Sequence, residues 1–257
     1  MLTILQIENV TKRFGGLTAV DNLSINVEEK GIHALIGPNG SGKTTTLNLI
    51  AGVLKSTEGI IKFNSETIST LPEFKIARSG IGRTFQNIKL FSSMTALENV
   101  MIGGHCDVKS GLLRFLFDIK TARKEEKALK EKAEEVLNFL GMYNFKDELV
   151  KNLPYGRQKV IELGRTLIGN PCLILLDEPA AGLNPSERVE FVSLLIKLCE
   201  QGKTLFLIEH NMDVVMKISH QITVLNFGAK IAEGNPNEIQ NNDEVIKAYL
   251  GNKFKKQ

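Results

Sequence analysis

At 257 residues and 42% hydrophobic content, the chain can bury a core sized for one large domain, or for one domain with a subdomain. Its 32 basic and 29 acidic residues leave a net charge of only +3, which gives no electrostatic reason to expect nucleic acid as a partner. Cys106, Cys172 and Cys199 are odd in number and lack metal-ligand spacing, so they read as reduced thiols, with Cys172 and Cys199 expected in packing. No stretch approaches the ~18 consecutive apolar residues of a membrane span, and no basic region leads into an apolar run at the N-terminus. A soluble protein is expected, with any membrane attachment made through a partner.

In chain order, residues 2–10 and 19–27 alternate apolar and polar side chains around Gly15-Gly16, as a half-exposed antiparallel hairpin would. The short apolar run at 32–36 has the character of a buried parallel strand, and a glycine loop and a helical stretch at 43–51 follow it. Runs at 173–176, 204–208 and 222–225 are strand-like, with helical stretches at 186–200 and 211–219 between them. This alternation predicts an α/β core with a mainly parallel sheet.

Between residues 103 and 152 strand runs vanish. Leu129, Ala133, Val136, Leu137 and Leu140 share one face of a charged helical stretch at 120–140, so a helical insertion is expected with its charged face solvated. The apolar patch at 112–117 packs inside that insertion or touches a partner. Lys253, Lys255 and Lys256 mark a basic tail.

Two motifs carry the chemistry. Gly37-Pro38-Asn39-Gly40-Ser41-Gly42-Lys43-Thr44, between a buried strand and a helix, matches the phosphate-loop pattern. Its glycines allow backbone N–H groups to turn towards phosphate oxygens, and the helix N-terminus adds a favourable dipole. Lys43 is expected on the β- and γ-phosphates, the Thr44 hydroxyl on Mg²⁺, and Thr45 beside it. Leu173-Ile-Leu-Leu-Asp177-Glu178 places two carboxylates at the C-terminal end of a buried strand, where ligands bind in open α/β sheets. Asp177 is expected to hold Mg²⁺ and Glu178 to act as general base on the attacking water.

Together these motifs resemble the ATPase of ABC transporters. Arg83-Thr-Phe-Gln86-Asn resembles the family's Q-loop, whose glutamine contacts Mg²⁺ and the attacking water. Ile208-Glu-His210-Asn resembles its switch-histidine segment, which contacts the γ-phosphate, whereas His33, His105 and His220 read as structural. Phe14 resembles the aromatic residue that stacks on adenine, its other reading being a cap on the sheet. Leu153-Pro154-Tyr155-Gly156-Arg157, ahead of a helix expected at 159–168, stands where the family has Leu-Ser-Gly-Gly-Gln. Pro154 removes an N–H and a hydroxyl there, while Gly156 still permits close backbone approach. Ala181-Gly-Leu-Asn184-Pro resembles the D-loop with Asn184 in place of aspartate.

The resemblance implies a P-loop NTPase core with a mainly parallel sheet, an N-terminal antiparallel β subdomain and an α-helical subdomain. In one domain at 1–250, residues 1–88 and 169–250 would form the core, 89–168 the helical part with the signature segment, and 251–257 a tail. It further implies ATP and Mg²⁺ as cofactors, and two ATPase subunits pairing head to tail, as a homodimer or with a related paralogue. Tyr155 and Gly156 would meet the nucleotide held by the opposite subunit. The stretch at 80–91, the Leu-Pro-Tyr-Gly form, Glu178-Pro-Ala-Ala-Gly-Leu-Asn-Pro185 and the segment 242–251 look like the branched-chain amino-acid importer branch. That branch implies two membrane permease subunits, an external solute-binding protein acting indirectly, and a peripheral place on the cytoplasmic face of the membrane. Other solutes such as urea, amides or polar amino acids, a soluble ABC ATPase outside transport, and a catalytically silent subunit are the competing readings.

Overall fold

The computed structural model describes residues 2–84, 88–104 and 119–254. They form two compact units: Met1–Arg83 with Cys172–Ala180 and Leu195–Gln257, and Thr84–Pro171 with Ala181–Leu194.

The first unit holds two sheets. Strands β1 (Thr3–Phe14) and β2 (Leu17–Glu28) form the expected hairpin, longer than its apolar pattern by several residues at the turn. With β4 (Glu58–Phe63) and β5 (Glu66–Thr67) they build a four-stranded antiparallel sheet in the order β2-β1-β4-β5. The second sheet has the order β10-β9-β3-β8-β7-β6. Here β3 (Ile32–Ile36), β7 (Leu173–Asp177) and β8 (Thr204–Ile208) are buried along their whole length, which is why they read as continuous apolar runs. Strands β6 (Ile81–Arg83) and β9 (Gln221–Asn226) extend the parallel set, and β10 (Ala229–Gly234) closes one edge antiparallel to β9. Leu5, Ile7, Leu23, Ile25, Ile61 and Phe63 of the antiparallel sheet share one core with Leu35, Leu173, Phe206 and Leu225 of the parallel one. Each such fully buried side chain contributes roughly 1.5–3 kcal/mol of transfer free energy.

Helices α1 (Lys43–Ile50) and α2 (Glu73–Arg78) follow β3 and β5 in this unit. In the second unit, α3 (Ala96–Gly103) opens with a complete capping box, in which Thr95 and Glu98 satisfy each other's backbone N–H groups. Helix α4 (Ile119–Phe139) buries Leu129, Ala133 and Leu137, the face expected from its spacing, with Leu140 buried just beyond its end. Helix α5 (Tyr155–Leu167) starts four positions before the predicted 159, because Pro154 sits at its N-cap and Tyr155, Gly156 and Arg157 are already helical. Helix α6 (Pro185–Glu200) crosses from the second unit's residues into the first's. Helices α7 (Met212–Ile218), α8 (Pro236–Gln240) and α9 (Asp243–Phe254) complete the first unit. Residues 251–254 therefore continue a helix instead of opening the expected tail.

Cys199 is buried and its thiol faces the Lys30 carbonyl, as expected, but Cys172 is exposed: it precedes β7 where the sheet meets solvent. Cys106, His105, the patch at 112–117 and Lys255–Lys256 lie outside the described residues.

Candidate functional site

Strand β3 delivers the chain into a loop whose three glycines have positive φ, +148° at Gly37, +78° at Gly40 and +101° at Gly42. Two of them are irreplaceable on space as well. A Cβ on Gly37 would collide with the Leu225 carbonyl, and one on Gly42 with that of Ala19. Gly42 is the N-cap of α1 and no side chain caps that end, so the first N–H groups of the helix, with the positive end of its dipole, face the loop. Asn39 and Thr44 are exposed at the rim, with Pro38 and Thr45 half-buried beside them, and the buried Ser41 hydroxyl has no hydrogen-bond partner among the described residues.

Lys43 is buried and its ammonium donates to the carbonyls of Gly37 at 2.8 Å and Pro38 at 2.9 Å. Burial holds its pKa below the usual lysine range, opposed by the charges of Glu178 and Asp177.

Asp177 ends β7 with its Oδ1 buried and without a hydrogen-bond partner among the described residues. Desolvation raises its pKa, with Arg83 the strongest opposing charge. An acceptor buried without a donor is costly unless something binds it. Among the described residues no group of three or more His, Cys, Asp or Glu side chains is gathered for a metal. A buried carboxylate oxygen with few other protein ligands around it fits a Mg²⁺ held mostly through phosphates and water, the usual mode of that ion.

Glu178 lies just past the strand at φ +50°, a left-handed conformation that costs a non-glycine residue about 1–2 kcal/mol. Its N–H donates to the Ile208 carbonyl at 2.9 Å, which fixes the backbone there. Its Oε1 is 3.0 Å from Nε2 of His210, which follows the end of the neighbouring parallel strand β8. Two residues far apart in sequence thus meet at the C-terminal edge of the sheet, where open α/β sheets bind ligands. His33 and His220 are structural, as expected. His33 is buried against Phe206 and 2.8 Å from the Thr223 hydroxyl, and His220 Nδ1 accepts from the Ile32 N–H at 3.0 Å.

Phe14 ends β1 with 46% of its surface exposed and Lys12 Nζ over its ring, 5.0 Å from the centre. Gln86 lies outside the described residues. In the second unit, Tyr155 and Gly156 form the first turn of α5. Asn184 accepts from the N–H of Glu187 at 2.9 Å and from the Ser186 hydroxyl at 2.8 Å, so its amide oxygen caps the turn into α6, as an aspartate would.

Two residues escaped the sequence reading. Glu209 is buried between β8 and His210, and its only sequence signal is an acid directly after an apolar strand. Tyr249 of α9 takes a hydrogen bond from the backbone of Gly37, and burial raises its pKa. It belongs to the segment that resembles the importer branch, but nothing local marks it as reaching the phosphate loop.

The ABC transporter family matches residues 20–181. The chain belongs to that family. Residues 229–255 also match the branched-chain amino acid ATP-binding cassette transporter family. This ABC ATPase is 43% identical to the high-affinity branched-chain amino acid transport ATP-binding protein BraF of Pseudomonas aeruginosa, over 96% of this chain and 98% of that one. It is 41% identical to LivG of Salmonella typhimurium, a protein of the same description, over the same shares of each chain. Among solved structures it is similar to the ADP conformation of an ATP-binding cassette of an ABC transporter, with TM-score 0.86, 35% identity, and 98% of this chain and 100% of that one covered. A dimeric bacterial ABC transporter cassette matches with TM-score 0.77 at 27% identity, over 91% of this chain and 99% of that one.

Proposed function

We propose that this ABC ATPase energises the uptake of branched-chain amino acids by hydrolysing ATP at a site built on Lys43, Asp177, Glu178 and His210. The observation that carries the reading is the 3.0 Å pairing of Glu178 with His210, at a sheet edge whose acids share an electrostatic field with the phosphate-loop lysine. The glycine loop and the uncapped N-terminus of α1 receive the β- and γ-phosphates, and Lys43 exchanges its loop carbonyls for phosphate oxygens. Phe14 offers its exposed ring to adenine.

Asp177 and Thr44 hold Mg²⁺, which supplies charge neutralisation on the phosphates when bound. Glu178 takes the proton from the attacking water, and His210 orients that carboxylate and meets the γ-phosphate. The site closes when a second ATPase presents Tyr155 and Gly156 of its signature helix to the nucleotide, in a homodimer or with a paralogue. Two permeases above the pair, fed indirectly by an external solute-binding protein, turn the closure into transport at the cytoplasmic face of the membrane. Among the described residues no helix is long and apolar enough to cross a membrane, so the permeases supply the path for the solute.

The test is uptake of labelled leucine, isoleucine and valine in cells carrying the native chain or Glu178→Gln at equal abundance. The variant is expected to hydrolyse ATP roughly 10²-fold more slowly, as loss of a general base does, and to abolish uptake of all three. Unchanged uptake with hydrolysis lost would overturn the solute assignment and leave the ATPase standing.

A further inference from the structure

We propose that Glu209 is the positioning residue that sets the Glu178–His210 pair, an inference that rests on the ATPase reading above. Its side chain is only 4% exposed, and both carboxylate oxygens are engaged by backbone donors from two different loops. Oε1 accepts from the N–H of Ala180, two residues beyond Glu178, at 2.8 Å. Oε2 accepts from the N–H of His210 at 2.9 Å and from that of Asn211 at 3.2 Å. One buried anion therefore ties the turn that carries Glu178 to the turn that carries His210, and Asn211 in turn caps α7 by accepting from Val214 at 3.1 Å.

The demand on this position is for an acceptor at both ends. A carboxylate is acceptor-only, whereas an amide of the same shape has one oxygen and one NH₂ group. In Glu209→Gln the NH₂ must face either the Ala180 N–H or those of His210 and Asn211, so one loop loses its anchor and gains an opposed donor. Glu209 touches neither water nor phosphate in this role. It acts by fixing where Glu178 and His210 stand, and an error of an ångström there lowers the chemical step without weakening nucleotide binding.

Steady-state ATP hydrolysis by the full-length chain tests this with Glu209→Gln, Glu209→Asp, His210→Ala and the double variant Glu209→Gln/His210→Ala. Expected are a fall in kcat of about tenfold or more for Glu209→Gln with KM for ATP within about twofold of native, and recovery of part of kcat in Glu209→Asp, which keeps two acceptors. The double variant should lose less than the product of the two single losses, because the two residues act through one unit. A native kcat in Glu209→Gln, a rise in KM matching the fall in kcat, or additive losses in the double variant would each overturn the assignment. Should Glu209→Gln fail to fold, Glu209→Asp carries the same comparison of kcat with KM. Absence of hydrolysis by the native chain would instead count against the ATPase reading itself.

Discussion

Glu178 occupies a left-handed backbone position that a glutamate adopts only under constraint, and the constraint comes from the Ile208 carbonyl and the His210 ring. Such strain is consistent with the role proposed for Glu178. His33 shows the opposite use of a titratable side chain. Burial, helped by the positive charge of Lys230, lowers its pKa from 6.5 to about 4, so it stays neutral in the fold across ordinary pH. The unfolded chain binds this proton first as pH falls, so the contribution to stability is complete above about 6.5 and is lost progressively towards 4. At 1.36 kcal/mol per pKa unit the loss comes to roughly 3 kcal/mol. Denaturant unfolding of native protein and His33→Gln between pH 7.5 and 4 should show a steeper loss of stability in the native chain, and parallel profiles would refute it.

At the level of elements, the signature helix turns on its first residue. Pro154 stands at the N-cap with ψ 152° and supplies no side-chain acceptor, so α5 begins without the hydroxyl cap that a serine would give. Proline fits because the N-cap's own N–H is not needed inside the helix, and Gly156 in the first turn is buried. A Cβ on Gly156 would meet the Glu187 carboxylate at 2.6 Å, so a larger residue there requires that side chain to move. Pro154→Ser should raise the melting temperature through an added cap worth about 1 kcal/mol, and should raise ATP turnover at least about twofold by restoring a hydroxyl donor. An unchanged turnover would mean that the backbone N–H groups of Gly156 and its neighbours already suffice.

At the scale of the molecule, the residues proposed for the two halves of a nucleotide site occur once each: the loop at 37–44 and the acids in one unit, the helix opening at Tyr155 in the other. If the site closes only across two subunits, hydrolysis must depend on association. Glu178→Gln with ATP is expected to sediment at about twice the 28.5 kDa chain mass, and with ADP as a single chain. The native rate per chain should rise with protein concentration below the dissociation constant of the pair. A monomer that hydrolyses ATP at a rate independent of concentration would refute this reading.

The motifs were legible because each is written in contiguous residues: glycines where the loop needs positive φ, a lysine at the head of a helix, two acids at the end of an apolar run. The parallel sheet was legible for the same reason, since strands buried on both faces are apolar throughout. The sequence alone determined the family. Which residues meet was decided by the fold. Parallel pairing of β7 with β8 brings Glu178 to His210, and Glu209 reaches Ala180 across 29 positions. The start of α5 at Tyr155 and the hold of Tyr249 on Gly37 were likewise settled by packing and hydrogen bonding. These contacts join residues distant along the chain, and no local pattern of polarity or spacing encodes a partner that only the folded backbone brings near.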